Sequence, residues 1–160
     1  MKEIFYSPFT GQVVDENYPG AARYVEAAPA VSVYEKYGDR LVRLRVGDVD
    51  LLIEREDMKS PKGYDVMTWY DAIATFRETG IRTFSKREAF FVLAYLYDIN
   101  RALKEVGGSP LGKSHWLSEY YSSNYAYSIN YVSRELHSNY EMNTIQRVRA
   151  CRTADGLIKN

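Results

Sequence analysis

The sequence predicts a segregated α+β fold, with two to three helices packed beside small antiparallel sheets and a strand or arm segment at the N-terminus. Three observations carry this expectation. Leu41, Leu44, Val46, Val49, Leu51 and Ile53 flank Gly47-Asp48, the pattern of two strands around a tight turn. Between Thr68 and Gly108, apolar residues recur at helical spacing behind two cap sequences, Thr68-x-x-Asp71 and Ser85-x-x-Glu88. After Lys113 the helical period vanishes, and strand-forming Tyr, Ile and Val are interleaved with Ser and Asn.

Taken in order, residues 1–40 give the weakest signal. Ile4, Phe5 and Tyr6 suggest a short strand, followed by turns at Ser7-Pro8 and at Tyr18-Pro19-Gly20. Residues 21–30 are Ala-rich, and Pro29 limits any helix there. This segment reads either as an arm for assembly or as a packed N-terminal meander, with the main domain spanning 41–160. In the hairpin, Val49, Leu51 and Ile53 alternate with Asp50, Leu52 and Glu54, so one face is mostly apolar. Residues 54–63 read as a charged loop.

Thr68 opens the first helix, with Trp69, Ile73 and Phe76 on its core face and Gly80 at its end. Ser85 opens a second apolar run through Phe90, Phe91, Leu93, Ala94, Leu96 and Tyr97. A further helical face follows in Ile99, Ala102, Leu103 and Val106, closed by Gly107-Gly108 and Pro110. Periodicity leaves open whether the joint near Tyr97-Asp98 is continuous helix or a break. Residues 115–120 and 125–132 read as strands around the turn Ser122-Ser123-Asn124. Residues 133–143 read as a polar loop or short hairpin, and Ile145, Val148 and Ala150 as a closing strand. A sheet formed by the first and last segments would bring the termini together.

Composition narrows the function classes. The 160 residues balance 21 basic against 21 acidic side chains, which removes the bulk electrostatic case for nucleic acid or an anionic membrane. Aromatic residues make up 14 %, and 15 of them are tyrosine, a residue suited to sheets and interfaces. A lone cysteine, Cys151, excludes an internal disulfide and a cysteine-based zinc site. No stretch approaches the roughly 20 apolar residues of a membrane span, and the N-terminus has no apolar run of signal-peptide length. Synthesis in the cytosol is expected, and the protein then stays there or leaves as part of a larger particle or on lysis, unless a leader has been removed from this sequence.

From Trp69 onward the chain resembles a known group. Thr68-Trp69-Tyr70-Asp71-Ala72 is similar to its "TW-x-D-A" helix, and Phe84-Ser85-Lys86-Arg87-Glu88 to its "LPTKEE" segment, one residue shorter. Residues 99–111, INRALKEVGGSPL, are close to "IN-x-AL-x-x-x-GG-x-PL". Residues 116–127 are similar to "W-S-S-x-E-Y-S-S-x-x-A-W". Arg147-Val148-Arg149 resembles the closing "VRPVR"-type strand, with Ala150-Cys151 where Pro-Val is common. The group is the C-type-lectin-like domains of bacteria and phages, of the kind that forms the C-terminal adhesin domain of Legionella collagen-like protein. These are related in fold to formylglycine-generating enzymes and to the variable proteins of diversity-generating retroelements. The resemblance spans residues 41–152. It implies a C-type-lectin-like fold whose late strands and loops form a ligand face.

Catalysis finds little support in the residues. Formylglycine-generating chemistry works through a cysteine pair, and only Cys151 is present. His115 and His137 stand 22 positions apart without a nucleophile or metal motif. The Glu-Pro-Asn and Trp-Asn-Asp signatures of calcium-dependent animal lectins are missing, and Glu54-Arg55-Glu56-Asp57 reads as a solvated charge run. No catalytic residue, metal ligand or cofactor is assigned. The functional signal is the Tyr/Ser/Asn stretch, since paratopes favour rigid Tyr area beside adaptable polar groups. The expected ligand-binding set is Tyr120, Tyr121, Asn124, Tyr125, Tyr127, Asn130, Tyr131, Asn139 and Tyr140. Trp116, Glu119 and Ala126 are expected to be framework. The expected role is a non-catalytic attachment or assembly protein, a head or tail decoration or fibre tip of a bacteriophage virion. Its partners would be other virion proteins, copies of itself, or a host-surface glycan or protein, with no nucleic acid and no membrane insertion. The alternative is an adhesin or ligand-binding module of the bacterial surface or cytoplasm. An enzyme of the formylglycine-generating type is a remote third reading.

Overall fold

The computed structural model describes residues 3–25 and 29–154, and residues 3, 24, 25 and 139 by their backbone. Strands β1 (Glu3–Tyr6), β2 (Ala22–Val25), β3 (Val31–Lys36), β4 (Asp39–Val46), β5 (Val49–Asp57) and β6 (Met67–Thr68) precede helices α1 (Trp69–Thr79), α2 (Lys86–Ala94) and α3 (Leu96–Glu105). Strands β7 (Ser114–Tyr120), β8 (Tyr125–Asn130), β9 (Glu135–Glu141), β10 (Ile145–Gln146) and β11 (Arg149–Thr153) follow. The fold is mixed α+β, with strands, then helices, then strands, in small antiparallel sheets.

The central sheet has the order β11-β5-β4-β3. Its β4–β5 hairpin turns at Gly47-Asp48, with Val46 opposite Val49. Strand β3 joins through a second two-residue turn, Tyr37-Gly38, in which both residues have positive φ (54° and 85°), as a type I′ turn requires. The sheet thus crosses the expected boundary at residue 40, since β3 pairs with β4 along its whole length. The Ala-rich segment supplies a strand rather than a helix. Ala22–Val25 pairs with β1, and residues 26–28 lie outside the described residues.

The strands before and after the helices share one sheet, through β5 and β11, but the first strand does not belong to it. Strand β1 pairs with β2 in a separate ribbon, and the closing strand β11 pairs with β5. Ile145 is not in the closing strand; it lies in β10, opposite Thr68. The expected charged loop 54–63 is strand as far as Asp57, because β11 runs alongside it. Residues 135–141 form β9, so the polar stretch there is the outer strand of a β7-β8-β9 sheet.

The helices begin where their caps dictate. The Thr68 side chain accepts from the Asp71 N–H at 3.2 Å, and Gly80 closes α1. Ser85 and Glu88 form a reciprocal capping box on α2. The joint left open by periodicity is a break at Tyr95, whose φ and ψ of −110° and 19° leave the helical region.

Helices α2 and α3 cover one face of the central sheet. Val92, Leu93, Ile99, Leu103 and Val106 meet Val42, Leu44, Leu51, Ile53 and Cys151 there, and Leu117, Ile129 and Tyr131 complete the cluster. A side chain of this kind stabilises the fold by about 1.5–3 kcal/mol when fully buried. Leu41, Leu52 and Ala154 pack on the opposite face. A second core lies under α1, where Met67, Ala72 and Phe76 meet Trp116, Ala126, Met142 and Val148. Gly108, between α3 and β7, has no space for a side chain, because a Cβ there would lie 2.6 Å from the Arg55 carbonyl oxygen. Among the described residues, no helix is long and apolar enough to cross a membrane.

Candidate functional site

Strand β7 carries the chain from the core to the surface. Its first half is fixed. Trp116 is buried, and its indole Nε1 donates to the Met67 carbonyl at 2.9 Å. The Thr83 hydroxyl donates to the Trp116 carbonyl at 3.1 Å, and the Ser118 N–H to the Phe84 carbonyl at 2.9 Å. Beyond Ser118 the strand leaves the core, and Glu119, Tyr120 and Tyr121 are exposed. The turn closes through the Tyr121 and Ser122 N–H groups, which donate to the Tyr125 carbonyl at 2.8 and 3.1 Å.

Aromatic rings organise the surface around this turn. Trp69 is held by its indole, which donates to the Leu117 carbonyl at 3.0 Å. Its ring meets Tyr70 and Tyr120 edge-on, with centroids 6.2 and 6.0 Å away. Tyr121 meets Tyr127 edge-on at 5.9 Å, and the Lys86 ammonium sits 4.3 Å over the Tyr127 ring. The Lys86 backbone N–H donates to a Glu119 carboxylate oxygen at 2.9 Å, fixing the start of α2 to the strand. Two open grooves flank this aromatic group. One, of about 460 Å³, is lined by Tyr70, Asn124, Tyr125, Glu141, Met142 and Asn143. The other, of about 330 Å³, is lined by Lys86, Ser118, Glu119, Tyr120 and Tyr127.

The expected site residues separate into distinct groups. Tyr120, Tyr121, Asn124 and Tyr125 lie together at the hairpin end and are exposed, Tyr120 at 63 % and Tyr121 at 64 %. Tyr127 is half-buried beside them. Tyr131, expected on the surface, is corrected to a core residue at 4 % exposure. The reason is that Tyr131 follows the end of β8, where its N–H donates to the Lys113 carbonyl at 2.8 Å and its ring meets buried His115 edge-on at 5.1 Å. Ile129 and Tyr131 pack into the main core, while Ala126 packs into the core under α1. Asn130 serves the backbone, its amide oxygen accepting from the Val132 and Ser133 N–H groups at 3.0 Å each. Tyr140 packs edge-on against Trp116 at 6.4 Å. The Asn139 side chain lies outside the described residues. Sequence reasoning missed Tyr70, Lys86, Glu141 and Asn143. The available signal was that Tyr70 falls in the first turn of α1, beside Trp69 but off the Trp69-Ile73-Phe76 core stripe.

A second cluster is buried behind the same strand. Arg149, wholly buried, donates through Nε to Asp57 Oδ1 at 2.9 Å and through its terminal nitrogens to the carbonyls of Glu54 and Ser109 at 3.1 Å. His115 Nε2 lies 2.6 Å from the same carboxylate oxygen, and Arg147 stands 3.7 Å from the other. Burial pushes the Asp57 carboxyl up, but hydrogen bonds and charge from His115 and Arg149 outweigh it and hold the group at about 2. Burial lowers the His115 imidazole against the pull of Asp57, and the two arginines press the same way. A neutral His115 then donates from Nε2 and leaves Nδ1 as a buried acceptor without a protein partner. Asp57 is engaged by three groups, which makes it a clasp rather than a proton acceptor. It lines a third groove of about 450 Å³ with Lys59, Asp65, Ser109, Lys113 and Arg147.

Two further groups are tied into the frame. Cys151 is buried, and burial pushes its thiol up to about 12, so it stays protonated near neutral pH. Arg82 donates to both Glu88 carboxylate oxygens at 2.5 and 2.7 Å and to Thr153 at 3.2 Å, linking the capping box of α2 to β11. Among the described residues, no group of three or more His, Cys, Asp or Glu side chains is placed to hold a metal ion. No protein-family model matches the chain, and no curated protein matches it.

Proposed function

We propose that this chain is a non-catalytic attachment or assembly protein that engages its partner through the aromatic end of the β7–β8 hairpin. The observation that carries the reading is the emergence of Tyr120, Tyr121 and Tyr125 at one turn whose base is locked into the core. Rigid aromatic area held out to water is what a binding surface needs. The rings contribute contact area with few freely rotating bonds, and the hydroxyls and the neighbouring Asn124 contribute adaptable hydrogen bonds. The strands-helices-strands arrangement supports a C-type-lectin-like domain, in keeping with the motifs between Thr68 and Arg149. The setting we propose is a bacteriophage particle, as a head or tail decoration or a fibre tip, where many copies make a weak site effective.

The test is a triple variant, Tyr120→Ala with Tyr121→Ala and Tyr125→Ala, displayed multivalently and measured for attachment to host bacteria and to purified particles. Attachment is expected to fall by more than about tenfold, as loss of aromatic anchors does at interfaces. Unchanged attachment by a folded triple variant would refute the reading.

A further inference from the structure

We propose that the outer edge of β3, with the groove between it and α3, binds an extended peptide, apolar with one basic side chain, as an added strand of the central sheet. The site goes beyond the attachment reading and shares no residue with the β7–β8 hairpin. The two margins of the sheet differ. Beyond β11, the Arg82 N–H donates to the Cys151 carbonyl and the Cys151 N–H to the Arg82 carbonyl, at 3.2 and 2.6 Å, which closes that margin. Beyond β3 no strand pairs among the described residues. The register fixes which backbone groups lie open there. The Arg45 N–H donates to the Ala30 carbonyl at 2.7 Å, and the ladder runs without a bulge to Lys36 opposite Asp39. Hydrogen bonding alternates along an antiparallel strand, so Ser32, Tyr34 and Lys36 turn their backbone groups towards β4. Val31, Val33 and Glu35 turn theirs outwards, where no described group meets them. An open edge with neither bulge nor internal proline is a template for another strand.

The groove beside the edge selects the strand. Val31 and Val33 pack towards the main core on the helix side, while Tyr34 packs on the other face. Opposed residues of paired strands share a face, so a residue facing Val31 or Val33 would direct its side chain into the groove. At about 210 Å³ the groove suits one or two side chains rather than a whole small molecule. Its walls are apolar at Val31, Val33 and Ala102, and its rim carries Asp98, Arg101 and Glu105. Arg101 lies 3.9 Å from Asp98 and 6.0 Å over the Tyr97 ring, which leaves the Glu105 carboxylate without a counter-charge among the described residues. The matching strand is therefore apolar on its groove side, with a lysine or arginine at one position there. Main-chain bonds supply the affinity of such a strand, and pockets for alternate side chains its specificity. A second copy of β3 fits less well. The antiparallel register that satisfies every open group sets Val33 on Val33 and places the second copy's own Glu35 opposite Val31. Its carboxylate would enter the groove that Asp98 and Glu105 already line.

The test uses the full chain with short fluorescent peptides of alternating valine and threonine. One carries a central lysine on its valine face, a second carries glutamate there, and a third carries the lysine beside a proline. Anisotropy reads the affinity, and amide shifts in isotope-labelled protein locate the site. The lysine peptide is expected to bind about threefold tighter than the glutamate peptide. The proline peptide is expected to bind at least about tenfold more weakly, with shifts from the lysine peptide centred on Val31, Val33 and Glu35. Val33→Pro removes an outward N–H while leaving the bonds to β4 in place, and is expected to weaken the lysine peptide by about tenfold. Glu105→Lys alters an exposed side chain of α3 and is expected to cancel or reverse the preference for lysine over glutamate. If Val33→Pro does not fold, Glu105→Lys and the shift map decide. No binding of the lysine peptide at about 1 mM would overturn the proposal, as would a preference untouched by Glu105→Lys or shifts remote from β3. Self-association of the chain alone that Val33→Pro abolishes would overturn it too, because a second copy would then hold the edge.

Discussion

The two ends of β7 are built on opposite principles. At its start, His115, Trp116 and Leu117 are buried, and every strong hydrogen bond there runs to another segment of the chain. At its end, the side chains of Tyr120 and the adjoining Tyr121 are exposed and meet other rings edge-on. Three residues separate Trp116 from Tyr120, so the transition takes less than one strand. The first half sets where the tip points, and the tip carries little of the stability. A tip of this kind can change its side chains while the frame beneath stays fixed.

The largest expected effect falls on the buried end. Arg149→Ala strands Asp57 without its main cation and leaves the Glu54 and Ser109 carbonyls without their guanidinium donors, and it is expected to destabilise the fold by about 3–5 kcal/mol in urea unfolding. A loss near zero would show that the cluster does not hold the frame. Acid should expose the same cluster. Asp57 has its carboxyl held at about 2 in the folded chain against 3.8 as the ordinary value, so its contribution is complete above pH 4 and is lost as pH falls towards 2. The loss is about 2 kcal/mol. His115 adds to it in the same direction, because a depressed imidazole favours the folded chain above pH 6.5 and loses that advantage as the pH falls. Unfolding midpoints measured from pH 7 to pH 2 should follow this course in the native chain and flatten between pH 4 and pH 2 in Asp57→Asn.

Gly108→Ala sharpens the comparison from a neighbouring loop. The new methyl would press on the Arg55 carbonyl, which accepts from the Ser109 N–H at 2.9 Å, and should cost about 1–3 kcal/mol in thermal or urea unfolding. The smallest effect is expected at the tip. Tyr120→Ala, Tyr121→Ala and Tyr125→Ala should each shift stability by no more than about 0.5 kcal/mol by the same measurement. A large loss of stability in these variants would collapse the distinction between frame and tip.

Local signals in the sequence were read well where one short segment decides the outcome. The Gly47-Asp48 hairpin and the Thr68 and Ser85 caps are such cases, since each depends on residues within a few positions. The Tyr37-Gly38 turn was not read, because tyrosine is not a usual occupant of a positive-φ position and only Gly38 marks it. The Asp57 cluster could not be read at all. Its members are 58 and 92 positions apart, and a charge run such as Glu54-Arg55-Glu56-Asp57 gives no sign of which member turns inward. At the site, the cluster of exposed tyrosines was legible from composition, but Tyr131 was not separable from Tyr125. Tyr125 opens β8 and Tyr131 follows its last residue, and only packing against the main core at that far end buries one of them.

The pairing of β11 with β5 also sets the tempo of folding. The β3–β4–β5 meander and the α2–α3 pair are made of contacts between sequence neighbours and can form early. Seating Arg149 on Asp57 closes a loop of 92 residues, the kind of distant contact that slows folding. Until that strand docks, β5 has an unpaired edge, and that edge is where neighbouring unfinished chains would stick to one another.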